Sequence, residues 1–286
     1  MENQNLNENR KVRILTEMEE IQLLPEATQR RVNFLKLIEK FVTNSNLLTS
    51  NCIILEGNPG TGKTTLINQA LSTLKDKGAI YDYHRVTGHI TKTSVYSFLE
   101  PKPEANGKVE VHVFDDADIL SDTGCLELLK SAFETRNLSM KVTPHDFRRV
   151  NYYTKGTSSG YIYTGYGIII TNQSPDAANN IHYKALLDRA NKLKIEFGDD
   201  DLFVFNASVI QKELDANTLG WSDESIEQIA EFFQTYIRKW WNNKAFPKAK
   251  INFSLRLIHR FMDYIITFGP DFWKQYSDEF NKLETA

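Results

Sequence analysis

The chain has 286 residues, 41% of them hydrophobic and 25% charged, with a formal net charge of −3. That is enough apolar material for one large domain or two modest ones, and the charge balance excludes a globally basic nucleic-acid binder. Two cysteines, Cys52 and Cys125, give neither a metal-ligand spacing nor a disulfide framework, and no apolar run reaches the roughly 18 residues of a membrane span. The expectation is a chain of a reducing compartment, the cytoplasm, with no membrane partner.

Residues 1–24 begin polar and Asn-rich, lack the apolar stretch of a signal peptide, and read as a flexible tail. Residues 26–43 carry Val32, Leu35, Leu37, Ile38 and Phe41 among charges, the pattern of an amphipathic helix. Cys52 to Glu56 is a short apolar run that reads as a buried strand. Directly after it, Gly57-Asn58-Pro59-Gly60-Thr61-Gly62-Lys63-Thr64 fits the phosphate-binding pattern G-x-x-x-x-G-K-[ST], and Thr65 continues the lining. Leu66, Ile67, Ala70, Leu71 and Leu74 then recur at helical spacing. Strand, glycine loop and helix together let backbone N–H groups curl around an anion at the positive end of a helix dipole. Lys63 adds a point charge for the β- and γ-phosphates of ATP, and the Thr64 hydroxyl is a ligand for Mg²⁺.

Further along, 79–86 alternates like a second strand, 94–99 reads as a short helix, and 101–108 reads as a surface loop. The third strand, 109–114, runs into Asp115-Asp116, which puts two carboxylates at a strand's carboxyl end beside the phosphate loop. There Asp115 would hold Mg²⁺ and Asp116 would polarise an attacking water as general base. A helix over 123–135 and a hairpin over 139–166 lead to a fully apolar fourth strand at 168–170. That strand ends in Thr171-Asn172, and Asn172 can hold the attacking water or a γ-phosphate oxygen. A helix over 177–190 ends in Asp188-Arg189-Ala190 before a fifth strand at 194–197. Arg189 can reach into a neighbouring subunit to stabilise transition-state charge, or form a surface ion pair with Asp188 or Glu196. From residue 201 only helices follow, near 202–214, 223–242, 252–268 and 270–283. The expected plan is a P-loop α/β domain with a parallel sheet flanked by helices over 25–200, with the hairpin inserted, and a helical lid over 201–286.

The order of these motifs resembles the AAA+ ATPases: phosphate loop, acidic strand end, polar sensor, trans-acting arginine, helical lid. The resemblance covers roughly residues 30–268. It implies ATP hydrolysis in a ring of identical subunits, a hexamer, with Asn172 as first sensor, Arg189 as arginine finger and Arg256 as second sensor. The chain departs from the family in carrying Asp-Asp where most members carry Asp-Glu.

The hairpin region resembles the presensor hairpin of superfamily 3 helicases, a branch of phage, viral and mobile-element proteins, although their phosphate loop usually reads Asn-Thr-Gly-Lys-Ser. Residues 136–160 hold five Lys/Arg, namely Arg136, Lys141, Arg148, Arg149 and Lys155, against one acid, Asp146. Tyr152, Tyr153, Tyr161 and Tyr163 are interleaved. Basic groups with aromatics suit a grip on single-stranded DNA, with Arg148, Arg149 and Lys155 on the phosphates. The same aromatics suit an unfolded polypeptide equally. Residues 238–260 hold seven Lys/Arg and no acid, either a nucleic-acid patch or a solvated lid face. Three functions follow as expectations: a DNA helicase or translocase of phage or mobile-element replication, a protein-remodelling ATPase, or a helicase-loader type switch.

Overall fold

The computed structural model describes residues 13–16, 19–44, 49–57, 60–105, 108–116, 119, 122–135, 148–154, 157–172, 180–195, 197–238 and 255–269. The elements in chain order are α1 (Leu24–Thr43), β1 (Cys52–Glu56), α2 (Lys63–Asp76), β2 (Asp82–Thr87), α3 (Lys92–Leu99), β3 (Glu110–Asp115), α4 (Thr123–Ala132), β4 (Arg149–Thr154), β5 (Thr157–Ile162), β6 (Tyr166–Thr171), α5 (Ile181–Leu187), β7 (Asn191–Lys194), α6 (Asp199–Ala216), α7 (Asp223–Phe232) and α8 (Leu255–Phe268). The chain divides into two compact units, one of Arg31–Asn58 and Gly62–Glu196, the other of Met1–Arg30, Pro59–Thr61 and Phe197–Ala286.

The first unit is built on a parallel sheet of order β2-β3-β6-β1-β7. Its central strands are apolar on both faces, as a sheet covered on both sides requires. Cys52, Ile54, Phe114 and Ile169 share a buried cluster with Val95, Leu99, Leu126, Leu129 and Leu186 of the helices. Ile53, Leu55, Val113, Ile168 and Ile170 are buried as well, and the pleat turns them to the opposite face. Each such side chain contributes about 1.5–3 kcal/mol on burial. The edges are different. β7 alternates half-buried and exposed residues, with Lys192 and Lys194 outward, and charged edges of this kind discourage pairing with another chain.

Two elements differ from the sequence expectation. The fifth strand lies at Asn191–Lys194, paired with β1 from Ile53↔Asn191 to Glu56↔Lys194, rather than at 194–197. Edge strands keep polar residues on the open side, so the apolar run at its end was a misleading marker. Helix α5 begins at Ile181, where the Asn180 side chain accepts from the backbone N–H of His182 at 2.9 Å and caps it. Residues 173–179 lie outside the described residues.

The hairpin is β4 and β5, paired from Arg149↔Ile162 to Thr154↔Thr157. Its aromatics are mostly structural. Tyr163 is 1% exposed and its hydroxyl lies 3.0 Å from Nδ1 of buried His112, whose imidazole burial pushes down to about 3. Tyr152 and Tyr161 both stack on Tyr96 of α3, and the Tyr161 hydroxyl donates to the Tyr96 carbonyl at 2.6 Å. Tyr153 alone of the four is strongly exposed, at 75%. The reading of all four as a ligand platform is therefore corrected: the pleat and α3 take three of them into packing.

The second unit is helical. Phe203, Val204, Ile210, Phe232, Phe233, Ile258, Phe261 and Ile265 form its core, and α7 continues through a wider turn, Phe233–Ile237. Ile14 and Leu15 are buried in this core, and Glu19 pairs with Arg238, so these residues do not behave as the flexible tail expected for 1–24. Among the described residues no helix is long and apolar enough to cross a membrane. The expected helix at 270–283 and most of the basic 238–260 segment lie outside the described residues.

β6 owes its depth to a glycine. A Cβ on Gly167 would stand 2.3 Å from Cζ of Phe133, so the ring lies directly on the strand backbone. Gly167→Ala is expected to cost about 1–3 kcal/mol by overpacking. Adding Phe133→Leu should recover part of that loss in a urea unfolding midpoint; an unchanged midpoint for Gly167→Ala would refute the packing.

Candidate active site

The parallel register sets the site. Glu56 pairs with Thr171, and Asp115 pairs with Ile170. Gly57 is therefore level with Asn172, and Asp116 is level with Thr171, so the residues that follow the three central strands leave the carboxyl end of the sheet within one residue of each other. Strand ends in open α/β sheets are where ligands bind.

Gly57 is needed for close approach: a Cβ there would lie 3.0 Å from the Ile195 carbonyl oxygen. Gly62 caps α2 with φ 77°, in the left-handed region that glycine enters without strain. Asn58 and Pro59 lie outside the described residues. Gly60, at φ 78°, and buried Thr61 continue the loop, and exposed Thr65 follows Thr64 in the first turn of α2.

Lys63 is 5% exposed. Its Nζ donates to the Gly57 carbonyl at 2.7 Å and to Oδ1 of Asn172 at 2.6 Å. Burial pushes its ammonium below the ordinary lysine value, against the opposing pull of Asp116 and Asp115. Asn172 in turn donates from Nδ2 to both carboxylate oxygens of Asp116, at 2.8 and 2.9 Å. The amide orientation is dictated by its partners, because an ammonium only donates and a carboxylate only accepts. Lys63, Asn172 and Asp116 are thus one hydrogen-bonded string.

Beside it, the Thr64 hydroxyl donates to Asp115 at 2.9 and 3.1 Å. Asp115 is 6% exposed and has a second neighbour, Nη1 of Arg85 on β2, at 3.6 Å. One hydroxyl and one carboxylate are hard oxygen donors, which fits Mg²⁺ with phosphate oxygens and waters completing its shell. Among the described residues no group of three or more His, Cys, Asp or Glu could hold a metal by itself.

Asp116 adopts φ 47°, with its N–H donating to the Ile170 carbonyl at 3.1 Å. A non-glycine residue there carries strain of about 1–3 kcal/mol, of the kind found at functional positions. The turn aims an exposed carboxylate at Asn172 rather than into the core.

The remaining candidates stand elsewhere. Arg189 follows α5, and its Nε and Nη2 each donate to Oε2 of Glu134 at 3.1 Å. Its carbonyl accepts from the Ser50 hydroxyl, ahead of the amino end of β1. β1 is five residues long, so about 17 Å of strand separates that point from the phosphate loop. Of the expected partners, Asp188 does not take this arginine's side chain among the described contacts, and Glu196 lies outside the described residues. Arg148 is half-buried at the hairpin base, Arg149 is exposed, and Lys155 lies outside the described residues. Arg256 is in the first turn of α8, and its side chain lies outside the described residues. Sequence reasoning missed Arg85 and Glu134. Arg85 becomes visible only once β2 is known to neighbour β3.

This arrangement is a phosphate loop backed by two carboxylates and an amide, able to hold the triphosphate of a nucleotide and a water beside it. No family model matches the chain. A relative from Enterobacteria phage T4, an uncharacterized 36.7 kDa protein of the nrdC-mobD intergenic region, is 26% identical over 266 residues, covering 88% of this chain and 75% of its own length. Among solved structures the chain is similar to a DNA replication initiation factor, with TM-score 0.44 and 14% identity over 88% of this chain and 65% of that one. It is also similar to NtrX from Brucella abortus in complex with ATP, with TM-score 0.41 and 13% identity over 84% of this chain and 53% of that one. The chain therefore spans less than two thirds of either solved protein.

The left-handed turn gives a direct test. Asp116→Gly should be more stable than Asp116→Ala by about 1 kcal/mol, because only glycine relieves the backbone. Equal urea midpoints for the two variants would mean that this backbone is not adopted.

Proposed function

We propose that this chain is an AAA+ ATPase that works as a ring, a hexamer, and moves single-stranded DNA in phage or mobile-element replication, within the cytoplasm of the host. The observation that carries the reading is the string from Lys63 through Asn172 to Asp116, assembled beside Thr64 and Asp115 by three parallel strands. The T4 relative supports a phage setting.

In this reading Gly57 to Thr65 cradle ATP, with Lys63 on the β- and γ-phosphates. Thr64 and Asp115 would hold Mg²⁺, which when bound would neutralise phosphate charge. Asn172 exchanges its present partners for the γ-phosphate or the attacking water. Asp116 takes the water's proton as the water oxygen bonds to the γ-phosphorus and the bond to the ADP oxygen breaks. Aspartate is one methylene shorter than the glutamate usual in the family, and the positive φ at Asp116 and the Asn172 bridge compensate by turning the carboxylate outward.

Arg189 acts on the neighbour. Its place at the amino end of the sheet, away from its own phosphate loop, supports a role at the adjacent subunit's γ-phosphate. Arg256 is read as the second sensor of the helical lid at 201–286, which completes the ATPase domain at 25–200. Arg149 and Lys155, with exposed Tyr153, grip the nucleic-acid backbone from the hairpin.

Asp116→Asn is expected to bind ATP and to hydrolyse it at least about 100-fold more slowly. Mixing those subunits with Arg189→Ala subunits should restore activity at interfaces that keep both groups, in a turnover titration of mixed rings. No recovery in rings shown to be assembled would overturn the trans reading of Arg189.

Arg149→Ala with Lys155→Ala should weaken single-stranded DNA binding with little sequence dependence and leave DNA-free ATPase intact. Each lost phosphate contact should flatten the salt dependence by about 0.7 in log–log slope. Unchanged DNA binding together with lost activity on an unfolded polypeptide would favour the protein-remodelling class.

A further inference from the structure

Glu134 stands two residues past α4, at the start of the segment that returns as the hairpin. It holds two arginines with two different groups. Its carboxylate accepts from Nε and Nη2 of Arg189, and its backbone carbonyl accepts from Nε of Arg148 at 3.3 Å. Arg148 is fixed to the hairpin base, because its own carbonyl accepts from the N–H of Tyr163 at 2.9 Å. The third prong of Arg189, Nη1, donates to the Ala185 carbonyl at 2.7 Å. The guanidinium is thereby laid along its own subunit.

The surrounding backbone is tied down more firmly than this ion pair. Buried Asn51 donates from Nδ2 to the carbonyls of Ala132, at the end of α4, and Gly165, at the hairpin's exit. The Glu134 and Arg189 side chains are 37% and 27% exposed, and an ion pair with that much solvent exchanges partners readily. So the backbone anchors lie at Ala132 and Gly165, and the Glu134–Arg189 ion pair beyond them is the labile contact. A shift of Arg148 acts on the very peptide that carries the Glu134 side chain.

We propose that Glu134 is a latch: it holds Arg189 back from the neighbouring subunit, and displacement of the hairpin base releases it. What the hairpin grips is thereby coupled to hydrolysis at the next site. Glu134 is a positioning residue that touches no substrate. The inference rests on the reading of Arg189 as a group acting in trans.

The test uses the full chain as wild type, Glu134→Gln, Arg189→Ala and the double variant, with assembly verified. ATP hydrolysis is measured without nucleic acid and with a single-stranded DNA oligonucleotide. Glutamine keeps the size and an acceptor but removes the charge. Glu134→Gln should raise the DNA-free rate about fivefold or more and shrink the ratio of DNA-stimulated to DNA-free rate. The rise should vanish in the double variant. The latch is overturned if Arg189→Ala slows hydrolysis while Glu134→Gln leaves the DNA-free rate unchanged, lowers it, or raises it equally in both backgrounds. If Arg189→Ala leaves the rate untouched, the trans reading itself fails and the latch falls with it, a different pattern from the first. Should Glu134→Gln fail to fold, Glu134→Asp, whose carboxylate reaches less far, is read in the same way.

Discussion

The parallel register of β3, β6 and β1 is the constraint on which the rest depends. Pairing Asp115 with Ile170 and Glu56 with Thr171 makes the three strands end within one residue of each other. Asn172, which follows the middle strand, then lies between Asp116 on one side and the phosphate loop with Lys63 on the other. A slip of one residue between these strands would carry Asp116 away from Asn172 and break the string from Lys63. Stability of the sheet and geometry of the site are one requirement here.

That requirement also explains the strained turn at Asp116. The strand must end, the carboxylate must face Asn172, and the backbone takes a left-handed conformation to do both. The buried ammonium of Lys63 balances the carboxylates across the gap, and Arg85 approaches the other side of Asp115. In the proposed cycle the incoming phosphates compete for donors that are already oriented, so little rearrangement of the fold is asked of the site.

Much of this was legible in the sequence, for identifiable reasons. The phosphate loop is contiguous, so its chemistry is written in eight neighbouring residues. Asp115, Asp116 and Asn172 stand out because each is polar where an apolar strand stops. Arg85 and Glu134 were not legible, since their partners depend on which strands and helices lie side by side. β7 was displaced because an edge strand has only one apolar side to mark it. The hairpin tyrosines are interleaved with basic residues in the sequence, but that does not say which of them α3 and His112 cover, and three of the four turned out to be packed.

The two ends of the sheet divide the proposed labour. In the proposed function the carboxyl end would hold a nucleotide, while the amino end gathers Arg189, Glu134 and the hairpin base around Ser50 and Asn51. The proposed ring, with one end meeting the next subunit's other end, would join these functions. The most direct measurement is the ATP hydrolysis rate of the full chain, alone and with single-stranded DNA, double-stranded DNA, RNA or an unfolded polypeptide in turn. The account predicts Mg²⁺-dependent turnover that single-stranded DNA stimulates above the others. Absence of Mg²⁺-dependent turnover under every condition would contradict it.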